Sequence, residues 1–191
     1  MVVLAGGDSR RLGRDKLAVV LAGRSVLDHL LDGVRAAAGG VPVVAVGPSR
    51  PTDVPVTWVR EQPAGGGPVA GLARALELAP SNEALVAVVA GDQPFAGEGL
   101  AALLTACSPE ASDVEGWLGV DGDGREQPLL ALYRCGALRR AVGAWPAGRS
   151  VRSVVRELAV SGVAVPALAT LDVDTEDDVR RAQEAALARR P

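Results

Sequence analysis

The chain is poor in aromatic residues, histidine, cysteine and lysine, and each shortage removes a class of function. Aromatic side chains make up 3% of its 191 residues, too few for the stacking platforms that hold single-stranded nucleic acid. The net charge of -3 is spread without blocks, so no basic stripe offsets a phosphate backbone. We expect no nucleic-acid partner, and any nucleotide bound to be a small molecule. Apolar runs such as Ala84 to Ala90 and Val41 to Val46 stop far short of the roughly 20 residues that span a bilayer. No basic segment precedes the apolar start, and the expectation is a soluble cytoplasmic protein with no membrane partner. Cys107 and Cys135 form no CxxC pair and sit among apolar neighbours, which reads as buried thiols of a reducing compartment rather than a disulfide or zinc site.

Lysine is the scarcest charged residue. Nineteen of the twenty basic residues are arginine, and the single lysine is Lys16. Such a bias draws attention to the one site where a compact ammonium stands in place of a planar guanidinium.

With 48% hydrophobic residues, the chain can bury one sizeable core and is short for two, so we expect a single domain over 1–191. Short β-branched runs alternate with Ala/Leu-rich segments, the pattern of parallel strands joined by helices. Strands are expected at 1–5, 43–46 and 56–59. The wholly apolar run 84–90 reads as a strand buried on both faces at the sheet centre. A helix begins near Ser25, where Ser25 and Asp28 pair as a capping box ahead of the stripe Leu27, Leu30, Leu31, Val34, and Gly39-Gly40 ends it. Pro68 opens a helix to about 79 after the glycine loop 64–67. Further helices are expected at 99–106, 136–143, 150–159 and 176–189, and Asp121 to Gly124 is expected to turn a hairpin. No internal repeat or long linker divides the chain.

Two segments carry chemistry. From Leu4 to Lys16 the chain reads LAGGDSRRLGRDK, with three glycines and four basic residues in thirteen positions. Glycines let backbone N–H groups turn towards an anion, and the cations add charge, so this is a phosphate loop. It is neither a Walker loop, since no GK[ST] follows, nor the GxGxxG fingerprint. The second segment, Val88-Val-Ala-Gly-Asp-Gln-Pro94, sets Asp92 at the mouth of the buried strand, where ligands of open α/β sheets bind. A single carboxylate there suits magnesium, which combines one or two acidic side chains with substrate phosphates. Gly65 to Gly71 opens a helix with flexible backbone that can approach a base or ribose. His29 reads as a structural side chain on a helix flank.

The loop LAGGDSRRLGRDK resembles the signature of the MobA-like nucleotidyltransferases, the molybdenum cofactor guanylyltransferase family. The stretch GDQPF and the segment GGPVAG resemble that family's GDxPF and GPLAG motifs. The resemblance implies a Rossmann-like three-layer α/β/α sandwich with a mostly parallel sheet. It also implies transfer of GMP from GTP to the phosphate of molybdopterin, with Mg2+ as cofactor and contacts to other molybdenum cofactor proteins. By position it assigns Leu4, Ala5, Gly6 and Gly7 to backbone contacts with the triphosphate, Arg11 and Lys16 to phosphates, with Arg10 as a neighbour, and Asp92 to the metal. Gly67 and Glu61 fall on the base side, and Glu61 can accept from guanine's N–H groups. Lys16, Arg11 and Asp92 are thus the expected catalytic residues.

Some positions depart from the family pattern. Glu61-Gln62 stands where an aspartate is common, and Gly47-Pro48 where an asparagine follows the second strand. In Leu171-Asp-Val-Asp-Thr175, two aspartates replace the asparagines of NxNTP. Asp172 and Asp174 either orient the acceptor or add a metal ligand, or else belong to a helix start capped by Thr175 with Asp177 and Asp178 in its first turn. A cytidylyltransferase of the same fold, or a nucleotide-binding regulator without catalysis, are the alternative readings.

Overall fold

The computed structural model describes residues 1–7, 11–108 and 113–189; Arg10 lies outside the described residues. A seven-stranded sheet runs through the molecule. Its strands are β1 (Val2–Leu4), β4 (Val44–Val46), β5 (Thr57–Val59), β6 (Leu85–Ala90), β7 (Gly116–Val120), β8 (Glu126–Arg134) and β9 (Val160–Ala164), and a separate two-residue hairpin pairs β2 (Val20–Leu21) with β3 (Arg24–Ser25). The sheet order is β5-β4-β1-β6-β8-β7-β9. Strand β8 is antiparallel to both its neighbours, and every other pairing is parallel.

Helices cover both faces. α1 (Val26–Ala38), α3 (Ala96–Ala106) and α6 (Glu176–Ala188) bury Leu30, Leu31, Leu100, Leu103 and Ala182 on one side. On the other, α2 (Gly67–Leu76), α4 (Cys135–Val142) and α5 (Val151–Val155) bury Leu72, Leu76, Leu138 and Val154. Successive residues of a strand point to opposite faces, and β6 shows it: Ala87 and Val89 join the first core, Val86 and Val88 the second. This is the expected three-layer α/β/α sandwich, with the apolar run at its centre.

Local signals set several boundaries. The Ser25 side chain accepts from the Asp28 N–H at 3.0 Å, and Gly39 ends α1 at φ +68°. Thr175 and Asp178 form a full capping box at the start of α6, so part of the acidic cluster there is helix capping. The hairpin expected at Asp121–Gly124 is present, closed by β7 and β8. His29 donates to the Leu21 carbonyl at 2.8 Å and so ties α1 to the small hairpin. Cys135 is buried and Cys107 only half-buried, both as free thiols. Among the described residues no helix is long and apolar enough to cross a membrane.

Three elements differ from expectation. The helix expected over 150–159 stops at Val155, and Val160–Ala164 forms the sheet edge instead. The turn Ala22-Gly23, with φ of 48° and 90°, makes the unforeseen β2–β3 hairpin. Helix α3 begins at Ala96 rather than near 99 and so includes two glycines, residues that weaken an isolated helix.

The crossing of α1 and α3 explains one of them. A Cβ on Gly97 would stand 2.3 Å from the Gly33 carbonyl carbon, so the two backbones meet where no side chain fits. Alanine gains about 1 kcal/mol of helix propensity over glycine, but overpacking costs about 1–3 kcal/mol, and here the clash is with backbone that cannot rotate away. We expect Gly97→Ala to lower the melting temperature by several degrees, at roughly 2–4 °C per kcal/mol for a chain of this size. Gly40→Ala, where an added Cβ meets nothing within 4 Å, should leave it unchanged. Equal melting temperatures for the two variants in a calorimetric scan would contradict the close crossing.

Candidate active site

The site forms at the carboxyl ends of β1, β4 and β6, the three adjacent parallel strands at the middle of the sheet. Beyond β1 the chain passes through Ala5, Gly6 and Gly7, and returns at Asp15 to a 3-10 turn, Lys16–Ala18. The Asp15 carboxylate caps that turn by accepting from the Leu17 N–H at 3.1 Å. The loop ends are therefore fixed by different means, one by the sheet and one by a cap.

Lys16 reaches across the strand ends. Its ammonium donates to Asp92 and to Asp174 Oδ1, the latter at 2.7 Å. Burial works against the charge, but the hydrogen bonds from Asp174 and Asp92 outweigh it and hold the ammonium above the usual lysine range. Arg11 Nη1 lies 3.6 Å from the other oxygen of Asp174 and is largely exposed, so it adds cationic charge at the rim. The Val173 N–H donates to the Asp92 carbonyl at 3.0 Å, which docks the segment carrying Asp172 and Asp174 onto the end of β6.

The opposite wall is a cleft of about 520 Å³ lined by Leu4, Gly6, Gly7, Val46, Glu61, Gly65, Gly67 and Pro68. Five of the residues expected to touch nucleotide thus face one cavity. Ala5 does not line it: the residue is buried, its N–H donates to the Val46 carbonyl at 2.9 Å, and its carbonyl accepts from Arg50 at 3.0 Å. Glu61 accepts from the Gly65 N–H at 3.3 Å, so its carboxylate is turned towards the glycine loop.

Close backbone approach accounts for the glycines around this cleft. At Gly47, φ is +143° and a Cβ would meet the Ala5 carbonyl oxygen at 2.7 Å. With this backbone conformation a side chain at position 47 would collide with the Ala5 backbone. A Cβ on Gly71 would meet Val46 Cγ1 at 2.5 Å, which lets the start of α2 lie against β4.

The residue that sequence reasoning missed is Arg50. Its guanidinium donates to both oxygens of Asp15, at 2.7 and 3.2 Å, and to the carbonyls of Ala5 and Pro48, each at 3.0 Å. It thus joins the two ends of the glycine-rich loop, and the contact with Arg50 holds the Asp15 carboxyl below its usual range. Nothing in the local sequence GPSRP announces this role, because its partners lie 35 and 45 residues away.

The arrangement suits a bound anion and a divalent cation. Two carboxylates, Asp92 and Asp174, converge on one cation, and a hard divalent ion of oxygen-seeking type needs only one or two such ligands besides phosphate and water. Among the described residues, no cluster of three or more His, Cys, Asp or Glu could hold a metal ion.

The family model described as "MobA-like NTP transferase domain" matches residues 1–163. A molybdenum cofactor guanylyltransferase of Rhizobium johnstonii is 32% identical over 95% of this chain and 90% of the relative. That of Rhodobacter capsulatus is 32% identical over 96% and 94%. Among solved structures, the molybdopterin-guanine dinucleotide biosynthesis protein A of Archaeoglobus fulgidus superposes with a TM-score of 0.72 at 22% identity, covering 98% of each chain. Thermus thermophilus 2-C-methyl-D-erythritol 4-phosphate cytidylyltransferase gives 0.69 at 22% identity over 98% of each. Rv0371C of Mycobacterium tuberculosis, in complex with manganese, gives 0.68 at 24% identity over 96% of each. At these identities the structural likenesses speak to the fold.

Asp172 is the strained member of the site. Gln93, only 3% exposed, donates to it at 2.9 Å, and the Gln93 Oε1 atom has no partner among the described residues. Burial, then the charge of Asp92, push the Asp172 carboxyl up to about 6. A carboxyl that is harder to ionise folded than unfolded destabilises the fold as pH rises from about 4 through about 6, and the cost is complete above that window. Asp172→Asn removes the charge, still accepts from Gln93, and offers an amide N–H to the unpaired Oε1. We expect this variant to melt roughly 2–4 °C above the parent at pH 8, the effect of about 1 kcal/mol, and the gain to shrink at pH 4. An equal or lower melting temperature at pH 8 would contradict the crowding of Asp172 by Asp92 and Asp174.

Proposed function

The chain belongs to the MobA-like NTP transferase family, and from that premise we propose that it transfers GMP from GTP to the phosphate of molybdopterin, releasing pyrophosphate. One observation carries this reading: the Lys16 ammonium, bracketed by Asp92 and Asp174, closes a loop whose other end, at Leu4, Gly6 and Gly7, lines the cleft. A triphosphate along that loop would have its base between Glu61 and the Gly65–Gly67 turn and its phosphates near Lys16. Guanine offers N1–H and N2–H donors, and the carboxylate of Glu61 is an acceptor for both.

The chemistry asks little of the side chains as nucleophiles. An acceptor phosphate monoester is already anionic near neutral pH and attacks the α-phosphorus directly, while pyrophosphate leaves. Lys16 and Arg11 offset the negative charge that grows on the leaving group, an electrostatic contribution made by groups already in place. Lys16 is held for that role by two carboxylates, and its loop is held by Arg50. We propose Asp92 as the protein ligand of Mg2+, which when bound would screen charge between the phosphates. Asp174 and Asp172, docked beside it, are on the acceptor side of the site. We read 1–191 as one nucleotidyltransferase domain acting in the cytoplasm, with GTP and a pterin phosphate as substrates and other molybdenum cofactor proteins as its contacts.

The test is selectivity among nucleotides, read by thermal shift with Mg2+ and by pyrophosphate release in the presence of molybdopterin. GTP should raise the melting temperature more than CTP, ATP or UTP, since a ligand at 100 times its dissociation constant stabilises by about 2.7 kcal/mol. GTP should also give the fastest pyrophosphate release. A panel led by CTP in both measurements would make the chain a cytidylyltransferase, and nucleotide binding without pyrophosphate release would make it a regulator.

A further inference from the structure

The proposed reaction gives Lys16 and Asp92 different partners, phosphate for the one and a divalent cation for the other, whereas the structure pairs them with each other. The Lys16 ammonium donates to Asp92 Oδ2 and, at 2.7 Å, to Asp174 Oδ1. The side chains of Lys16 and Asp92 are both mostly withdrawn from water. Arg11 approaches the other oxygen of Asp174, at 3.6 Å, from an exposed position. The cation seated on Asp92 is thus the ammonium.

The backbone around Asp92 is pinned. The Gly91 N–H donates to the Leu4 carbonyl at 2.9 Å and the Val173 N–H to the Asp92 carbonyl at 3.0 Å. The more adjustable member of the pair is Lys16, whose charge rides on a flexible four-carbon stem. A hard dication such as Mg2+ binds a carboxylate oxygen directly. An ammonium on that same oxygen is a like charge in contact, with little water between to weaken the repulsion. Metal and ammonium therefore compete for Asp92. A triphosphate alters the balance at both ends, because it offers the ammonium anionic oxygens to move to and brings the metal further oxygen ligands.

We propose that Lys16 keeps a divalent cation off Asp92 until a triphosphate draws the ammonium away, so that the metal enters after or together with the nucleotide. The inference rests on the reading of Asp92 as the metal ligand and of the glycine-rich loop as the triphosphate site. One residue then has two successive partners, and the exchange links the two ligands. Whatever factor the nucleotide adds to metal affinity, the metal adds to nucleotide affinity.

Electron paramagnetic resonance of free Mn2+ tests this in titrations of the parent, Lys16→Gln, Arg11→Gln, Asp92→Asn and Lys16→Gln/Asp92→Asn chains, with and without GTP. A metal that binds only chains whose Asp92 is free loses affinity in proportion to their fraction, so an ammonium absent from Asp92 in about a tenth of the chains costs about tenfold. Without GTP, we expect Lys16→Gln to bind Mn2+ at least about tenfold more tightly than the parent, and the double variant to lose that gain. Arg11→Gln removes an equal charge from the exposed rim, where solvent screens it, and should stay within about twofold of the parent. With GTP, the parent should bind Mn2+ beyond the Mn2+–GTP complex that forms in buffer, and Asp92→Asn should not. An equal Kd in the parent and Lys16→Gln, or a gain matched by Arg11→Gln, would overturn the exclusion. Mn2+ binding in the presence of GTP that is unchanged in Asp92→Asn would overturn Asp92 as the ligand, and the exclusion with it. Lys16→Gln leaves two carboxylates uncompensated, so it should melt below the parent and recover with Mn2+. If that variant does not fold, the parent decides alone: Mn2+ bound as tightly without GTP as with it would overturn the exclusion.

Discussion

One ammonium between two carboxylates organises the carboxyl ends of the central strands, where we place the active site. Lys16 comes from the loop after β1, Asp92 from the end of the central strand β6, and Asp174 from the segment before α6. These three stretches are remote in sequence, and each is placed by separate local structure: a 3-10 turn capped by Asp15, a buried strand, and a capping box. The ammonium is what makes them one site. Arg14 and Glu176, 2.9 Å apart, and Arg11 beside Asp174 repeat the link at the exposed rim, where ion pairs contribute little. The interior pair is different, since its groups are mostly withdrawn from water and removing one partner would leave the others uncompensated.

The same constraint explains why the strand ends are so tightly glycine-lined. For Lys16 to reach Asp92, the backbones of β1, β4 and β6 must continue side by side past the sheet. Gly91 donates to the Leu4 carbonyl at 2.9 Å, and Gly47 approaches Ala5 where a Cβ has no room. Arg50 then holds the returning end of the loop by Asp15 and the outgoing end by Ala5. The loop proposed to surround the triphosphate thereby has fixed ends before any ligand arrives, which is the structural form of preorganisation.

Much of this was legible in the sequence. The glycine-rich loop, the wholly apolar β6 and Asp92 at its end are contiguous in the chain, and so were the capping pairs at Ser25 and Thr175. What escaped was whatever depends on a partner far away in sequence. Arg50 sits in an unremarkable Pro-rich loop, and its meaning comes from Asp15 and Ala5. Strand β9 is an edge strand of five residues that alternates weakly, and its pairing with β7 decides its state. Gly97 reads as a helix-weakening residue until Gly33 is seen against it. The acidic run near 172–178 divided in two: Asp178 belongs to the helix cap, while Asp174 holds Lys16 and Asp172 accepts from Gln93 beside the charge of Asp92. Spacing could not separate these, because all of them lie within one short segment.

The central claim is that the site needs a compact ammonium at position 16 and not merely positive charge. It is tested most directly by kcat/KM for GMP transfer in Lys16→Arg, measured beside Arg180→Lys, a control on the exposed face of α6 where Arg180 pairs with its neighbour Asp177. A planar guanidinium cannot occupy the same point between Asp92 and Asp174, and misplacing a phosphate-binding group by about 1 Å can cost about a hundredfold in rate. The account predicts a fall of at least about tenfold for Lys16→Arg, or roughly 1.4 kcal/mol of transition-state stabilisation, with the control unchanged. Equal activity for the two variants would contradict it.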